Sequence, residues 1–212
     1  MLFRFKNAFA SNLPATTEVT IWDQNVLYPW SSWTVAQKLY IISTSASDVG
    51  QTIQIEGLAS DYSKISETIT TNGTTAVATA NNYLRINHMS IITGASNVGT
   101  ITTRLTSGTG TIVGNMAIGF ARNRQAPFTV PKGYSAYVLY GDCGLYSLAN
   151  PNQIGPGTVR MYIRTNSVGM PFQLGFAAEV VNGYYRNDFK VPLYLPETTD
   201  IDVRLYNTTT AV

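Results

Sequence analysis

The sequence predicts an all-β protein, an antiparallel β-sandwich closed by Gly and Pro turns. Three observations predict it. Apolar and polar side chains alternate with a period of two through most of the chain, which sets one face of a strand on a core and the other in water or on a partner. Turn formers cut these runs: Asn72-Gly73, Pro131 with Gly133, and Asn182-Gly183, residues that take the backbone angles of tight turns. No segment sustains the 3.6-residue apolar period of a packed helix,. About a dozen strands fit a sandwich, with a jelly roll as one form of it. The 212 residues read as a single domain over 15–212, preceded by an extended arm over 1–14,.

The arm alternates Phe3, Phe5 and Phe9 with Arg4, Lys6 and Asn7 and ends at Pro14. It reads either as an edge strand or frayed terminus, or as an arm whose Phe3, Phe5 and Phe9 dock on a neighbouring chain while Arg4 and Lys6 meet acidic groups there. Glu18–Asp23 follows as a short strand, then Tyr28, Trp30 and Trp33 around Pro29. Aromatics so spaced either cap one end of a sandwich or stack on sugar rings. Leu39 to Ile42 is apolar throughout, as in a strand covered on both faces,. Ala46-Ser47-Asp48-Val49-Gly50 recurs as Ala95-Ser96-Asn97-Val98-Gly99, each leading into a Thr-Ile strand. This reads as one turn used twice.

Gln51–Leu58, Ser63–Thr71 and Thr74–Thr79 are expected as three consecutive antiparallel strands, with Asn72-Gly73 in a type I′ turn,. In Tyr83–Thr93 the adjacent Ile91 and Ile92 break the alternation and predict either a bulge or burial of both faces near the strand end,. Gly108, Gly110 and Gly114 mark a loop and hairpin, since no Lys-Ser/Thr and no helix pattern follow as in a phosphate-binding loop,. Phe128–Pro131 and Tyr134–Tyr140 flank a tight turn at Lys132-Gly133,. The interval 142–156 reads as a long surface loop,. Arg160, Tyr162 and Arg164 share one strand face; Phe172–Val181 leads into the hairpin signal Asn182-Gly183. In Thr199–Tyr206, Ile201, Val203 and Leu205 point inward, while Asp200, Asp202 and Arg204 point outward as the charges of a protected edge strand,.

Hydrophobic residues make up 44% of the chain, enough for a sizeable core, but charged residues only 12%, about half the usual ~25%. A surface of Thr, Ser, Asn and Gln is cheap to desolvate and suits contact with other protein chains. A net charge of +2 without a Lys/Arg stripe leaves no nucleic-acid footprint,; Arg122 and Arg124 read as loop charges. The single Cys143 excludes an intrachain disulfide and reads as a small packed residue,. No apolar run approaches the ~20 residues of a membrane-spanning helix, and no apolar core of signal-peptide length follows the basic start,. The chain is expected to fold in a cytoplasm.

A search for chemistry nominates no set of residues. His88 stands alone in a strand and reads as a structural group, with no second His or Cys for a metal set,. Asp200 and Asp202 share a face without other clustered groups, and Asp48, Asp61 and Asp142 are each isolated, whereas paired acids must face one cleft and Ca²⁺ needs several loop oxygens. The expectation is no enzyme, no catalytic residue, no metal and no cofactor.

Three stretches together carry a resemblance. They are Gln51-Thr52-Ile53 through Thr68–Thr75 into Tyr83-Leu84-Arg85-Ile86-Asn87; Asn123-Arg124-Gln125-Ala126-Pro127-Phe128-Thr129-Val130-Pro131-Lys132-Gly133-Tyr134-Ser135-Ala136-Tyr137; and Pro192–Arg204. The chain resembles small β-sandwich virion proteins of tailed bacteriophages, especially cyanophages, over most of its length after Glu18. The resemblance implies a virion structural protein assembled in the host cytoplasm, a capsid decoration (cement) protein on the major capsid protein. The alternatives are a tail, neck or fibre-base component, and a carbohydrate-binding module using Tyr28, Trp30 and Trp33. Partners would be other virion proteins and further copies of the chain, as a trimer at symmetry axes, with neither nucleic acid nor membrane.

Overall fold

The computed structural model describes residues 6, 8–10, 16–145, 157–166, 170–180 and 183–207. The chain is all-β, built of antiparallel sheets packed as sandwiches. Where the sequence reads as one domain over 15–212, the contacts divide into two compact units. One comprises Met1–Phe9 and Pro29–Gln125, the other Ala10–Tyr28 and Ala126–Val212. The division follows from pairing. β1 (Glu18–Thr20) aligns with β14 (Thr199–Asn207) at the far end of the chain, Glu18 opposite Tyr206, and so joins the second unit.

In the first unit, β2 (Tyr40–Ser43), β5 (Val77–Ala78), β7 (Ile101–Arg104) and β8 (Ile112–Met116) form a sheet in the order β5-β2-β7-β8. β3 (Val49–Leu58), β4 (Lys64–Asn72) and β6 (Arg85–Thr93) form a second in the order β4-β3-β6. The alternation of β3 is realised: Ile53 and Ile55 are fully buried, opposite Ile69 and Glu67 of β4. The bend between them is held by the Asp61 carboxylate, which accepts from the Ser63 N–H and hydroxyl. The bulge read from Ile91-Ile92 is present. Thr52 faces Thr93 and Ile53 faces Ile91, leaving Ile92 as the extra residue.

One expectation fails here. Thr74–Thr79 does not continue the β3–β4 sheet; only Val77–Ala78 is strand, and it pairs with β2 in the other sheet. Gly73 takes positive φ (58°) but Asn72 does not, so the turn is not type I′,. The Gly73 N–H donates to the Asp48 carbonyl and its own carbonyl accepts from Ser43 N–H, which ties the turn into the first sheet.

In the second unit, β9 (Phe128–Thr129), β11 (Gly157–Thr165) and β12 (Gln173–Val180) complete a five-stranded sheet in the order β1-β14-β11-β12, with β9 also on β14. β10 (Ala136–Gly144) and β13 (Tyr184–Leu195) form a two-stranded sheet. Both sheets feed the core. Val130, Met161, Leu195 and Ile201 make one cluster with Val138, Phe176 and Leu193 around it; Val19, Leu145, Val159, Val180 and Leu205 make another, with Cys143 and Tyr185. Each unit holds seven strands among the described residues, where a jelly roll has eight.

The edge-strand reading of Thr199–Tyr206 is also corrected. β14 is an interior strand with β11 on one side and β1 and β9 on the other. Asp200 and Asp202 are accordingly fully buried, not solvated edge charges. Of the hairpin signal Asn182-Gly183, Asn182 lies outside the described residues; Gly183 has φ 79°, and β12 and β13 lie in different sheets. Pro131–Gly133 behaves alike. Gly133 has φ 77° and Tyr134 N–H donates to Pro131 O, yet β9 and β10 pair with different strands. These Gly turns are corners between sheets.

Candidate protein–protein contact surfaces

Of the arm residues, Phe3, Arg4 and Phe5 lie outside the described residues. Lys6 and Phe9 rest on the first unit. The Lys6 ammonium donates to the carbonyls of Asn87 (2.7 Å) and Gln125 (3.3 Å), and Phe9 stacks on the Arg124 guanidinium, 4.5 Å from its ring centre. The aromatic residues nominated for sugar stacking are not available for it: Tyr28, Trp30 and Trp33 are 4%, 6% and 1% exposed. Tyr28 packs edge-on against Trp22 in the second unit. In the first, Trp30 lies under the Arg85 guanidinium and the Trp33 indole donates to Tyr83 O. Burial takes the ring faces that a glycan needs, so the carbohydrate-platform expectation falls. The loop expected over 142–156 begins instead as strand through Gly144, and 146–156 lies outside the described residues. Among the described residues, no three His, Cys, Asp or Glu stand together as metal ligands.

Exposed tyrosines stand elsewhere, on the two-stranded sheet of the second unit. Val138, Cys143, Tyr185 and Leu193 pack against the core; the intervening residues therefore face out. The outward face carries Tyr137, Tyr140, Tyr184 and Tyr194, and Tyr134 stands in the turn before it, all 39–57% exposed. Tyr137 and Tyr194 are cross-strand partners with ring centres 5.4 Å apart. A spacing of three would put Tyr137 and Tyr140 on opposite faces of a regular strand. The pairing jumps from Val138–Leu193 to Tyr140–Asp188, so Leu139 stands alone against Phe189–Pro192. That irregularity resets the parity and returns Tyr140 to the outer face; Pro192 sits within it, where its missing N–H breaks no ladder bond. Arg186 lies between Asp142 on the paired strand and Asp188, which it grips with two nitrogens, and its guanidinium is 5.2 Å from the Tyr140 ring centre. Among the described residues, neither β10 nor β13 has a second partner strand, so the sheet also offers two edges. Sequence reading found the Tyr134–Tyr140 strand but not this face, because regular alternation sets Tyr137 and Tyr140 on opposite sides and the irregularity at Leu139 depends on how β10 pairs with β13.

Cys143 is on the inner side. Burial pushes its thiol up to about 11, and the charge of Asp142 adds to the effect, which keeps it a packed thiol rather than a nucleophile.

In the first unit the two copies of the Ala-Ser-x-Val-Gly turn meet each other. The fully buried Asp48 carboxylate accepts the N–H groups of Val98 (2.7 Å) and Gly99 (2.8 Å) from the second turn, and the Ser43 hydroxyl. The Gln51 amide donates to Ala95 O (3.0 Å). Burial works to raise the Asp48 carboxyl, but the bonds from Ser43, Val98, Gly99 and Gln51 outweigh it and hold the group below its ordinary value. Asn97, equivalent to Asp48, reaches the other way. Its amide donates to Gly99 O (2.7 Å) and Ala117 O (2.9 Å), its side-chain oxygen accepts from Ala121 N–H, and its backbone carbonyl accepts from Gly119 N–H. Gly99 must be Gly, since a Cβ would lie 2.6 Å from Ser45 N. With both turns pinned from below, the equivalent Val49 and Val98 are 58% and 59% exposed; Ile118 (60%) and Phe120 (49%) stand on the segment that Asn97 holds. Arg124 stacks on Phe120 at 3.5 Å, between it and Phe9. The result is a rigid apolar end with an arginine in it.

The five-stranded sheet carries a third feature, and it is internal. Asp200 bonds to Arg164 and to the Thr129 hydroxyl; Asp202 bonds to Arg204 (2.7 Å) and to the Thr20 hydroxyl (2.9 Å). Glu18 takes Arg160 and Arg204 at 3.0 Å each, and the Tyr162 hydroxyl. Phe172 and Tyr162 lie over the guanidiniums of Arg164 and Arg204. Three acids meet three arginines, so the face closes on itself without net charge. Comparison with family models, curated proteins and solved structures finds no match to this chain.

Proposed function

We propose that the chain is a structural protein of a tailed-bacteriophage virion, a capsid decoration protein that works through protein contact. The observation that carries this reading is the outward tyrosine face of the two-stranded sheet, five rings about half exposed on a chain with only 12% charged residues. Tyrosine supplies large contact area with little side-chain entropy to lose, and is enriched where proteins meet. A rigid sandwich with such a face stabilises a shell by burying it across neighbouring subunits, and many symmetric copies add by avidity. The resemblance of Gln51–Asn87, Asn123–Tyr137 and Pro192–Arg204 to phage virion proteins supports the same reading.

The test is the copy number of this chain in purified phage particles, by quantitative mass spectrometry with density localised by electron cryomicroscopy. Copies in the hundreds, on the capsid surface, are expected. A single ring of copies at the neck or tail would replace the decoration reading by the tail one, and absence from particles would overturn both.

A further inference from the structure

We infer that copies of this chain associate head to tail, the apolar arginine-bearing end of the first unit of one copy seating on the tyrosine face of the second unit of the next. The inference rests on the reading above that the chain works through protein contacts, and names one partner as a second copy of itself.

Two observations carry it. The first is charge. The first unit has eight Lys/Arg against four Asp/Glu, the second six against eight. A chain with net charge +2 is thus split into parts of +4 and −2. In the second unit the buried Asp200 and Asp202 and the part-buried Glu18 are matched by Arg160, Arg164 and Arg204, so the excess of two acids lies elsewhere; Asp142 and Asp188 are on the tyrosine sheet with Arg186 and the exposed Lys190. The apolar end of the first unit carries the exposed Arg122, and Arg124 held between Phe9 and Phe120. The opposite net charges of the two units favour contact between unlike units over contact between like ones.

The second observation is area and rigidity. At roughly 200 Å² per aromatic side chain, five half-exposed tyrosines present on the order of 500 Å². Leu139 (38% exposed) and Val191 (81%), in the irregularity between the two strands, add apolar area beside them toward the ~800 Å² per partner of a standard interface. The opposing surface offers Val49, Val98, Ile118 and Phe120 on turns fixed by Asp48 and Asn97, so little ordering remains to oppose binding. Such an interface uses different patches on its two sides and closes, when the rotation allows, into a ring.

The test uses the full chain and two double variants of exposed residues: Ile118→Ser with Phe120→Ser, and Tyr137→Ser with Tyr194→Ser. Size-exclusion chromatography with light scattering, at up to about 100 µM protein, should show a defined oligomer for the natural chain. Raising salt to about 0.5 M should weaken it. Each variant alone should be a folded monomer by circular dichroism, with self-association at least about 30-fold weaker. The decisive step is mixing. A head-to-tail contact leaves one intact patch on each variant, so the mixture should form a 1:1 dimer. A natural chain that stays monomeric overturns the inference, as do variants that still oligomerise. A mixture that stays monomeric while the natural chain oligomerises also overturns it, in favour of a symmetric contact. A monomer in solution that is abundant on capsids would sink this inference alone; an oligomer absent from particles would sink only the virion reading.

Discussion

The two units bury carboxylates in opposite ways. In the first, Asp48 is enclosed with neutral donors: two backbone N–H groups, a serine hydroxyl and an amide. In the second, Asp200 and Asp202 are enclosed with guanidiniums and threonine hydroxyls. A buried charge is costly unless it is paired or fully hydrogen-bonded, and both arrangements meet that condition. The difference lies in what can be removed. Arg164, Thr129, Arg204 and Thr20 hold Asp200 and Asp202 through their side chains. Two of Asp48's partners are backbone, which no substitution deletes. The first arrangement therefore locks two loops into one conformation, while the second holds a sheet face that could equally be apolar.

The largest expected effect breaks the ionic side. Arg164→Ala leaves the Asp200 carboxylate buried without its guanidinium, and the melt should report a loss of about 4 kcal/mol. Replacing the three together, Arg164→Met with Asp200→Leu and Thr129→Val, should recover most of that and return stability to within about 1–2 kcal/mol of the natural chain. A triple variant as unstable as Arg164→Ala would mean that the charges themselves specify the sheet.

Asp48→Ala should lose about 3 kcal/mol in chemical denaturation, since Val98 and Gly99 N–H groups are left buried without an acceptor. No apolar repacking should rescue it, and Asp48→Leu with Ser43→Ala should be no better. Recovery in that double variant would remove the distinction between the units. Hydrogen exchange gives a second readout: protection at Val98 and Gly99 should fall before that of the β3–β4 ladder.

The smallest effect is acid dependence. Asp48 sits below its ordinary 3.8, and Glu18 below 4.5, where burial opposes the shift and bonds from Arg204, Arg160 and Tyr162 prevail. A carboxyl with a lowered folded value contributes stability that is complete above the ordinary value and is lost as pH falls through the folded one. Stability should therefore hold above about pH 5 and decline below pH 4. Asp48→Asn should flatten that decline by about 1 kcal/mol, measured as the difference between pH 5 and pH 3. An unchanged pH profile in this variant would show that Asp48 is not a titrating lock.

Local chemistry in the sequence was read well at particular residues. Ile53 and Ile55 are buried as their alternation required, Ile92 is the bulged residue that the Ile91-Ile92 pair announced, and Gly73, Gly133 and Gly183 all turn the chain with positive φ. The pairing on either side of those turns was not legible. A two-residue turn says that the chain reverses, but which strand it meets depends on which neighbour completes a core. The burial of Asp200 and Asp202 escaped for the same reason: an alternating strand with charges on one face reads alike at an edge and in the middle of a sheet. The tyrosine face was hidden by a parity change at Leu139 that appears only in the way β10 pairs with β13.

By itself the chain determined that it would be β throughout, where it would bend, and that its surface would be poor in charge, because these follow from side-chain periodicity, backbone angles and composition. Only the tertiary structure decided that the strands divide into two units, that the repeated Ala-Ser-x-Val-Gly turns lock onto each other across 49 residues of sequence, and that tyrosines rather than tryptophans meet the solvent. Those outcomes are set by contacts between residues far apart in the chain, whose energies depend on what lies across the core and not on the neighbours in sequence.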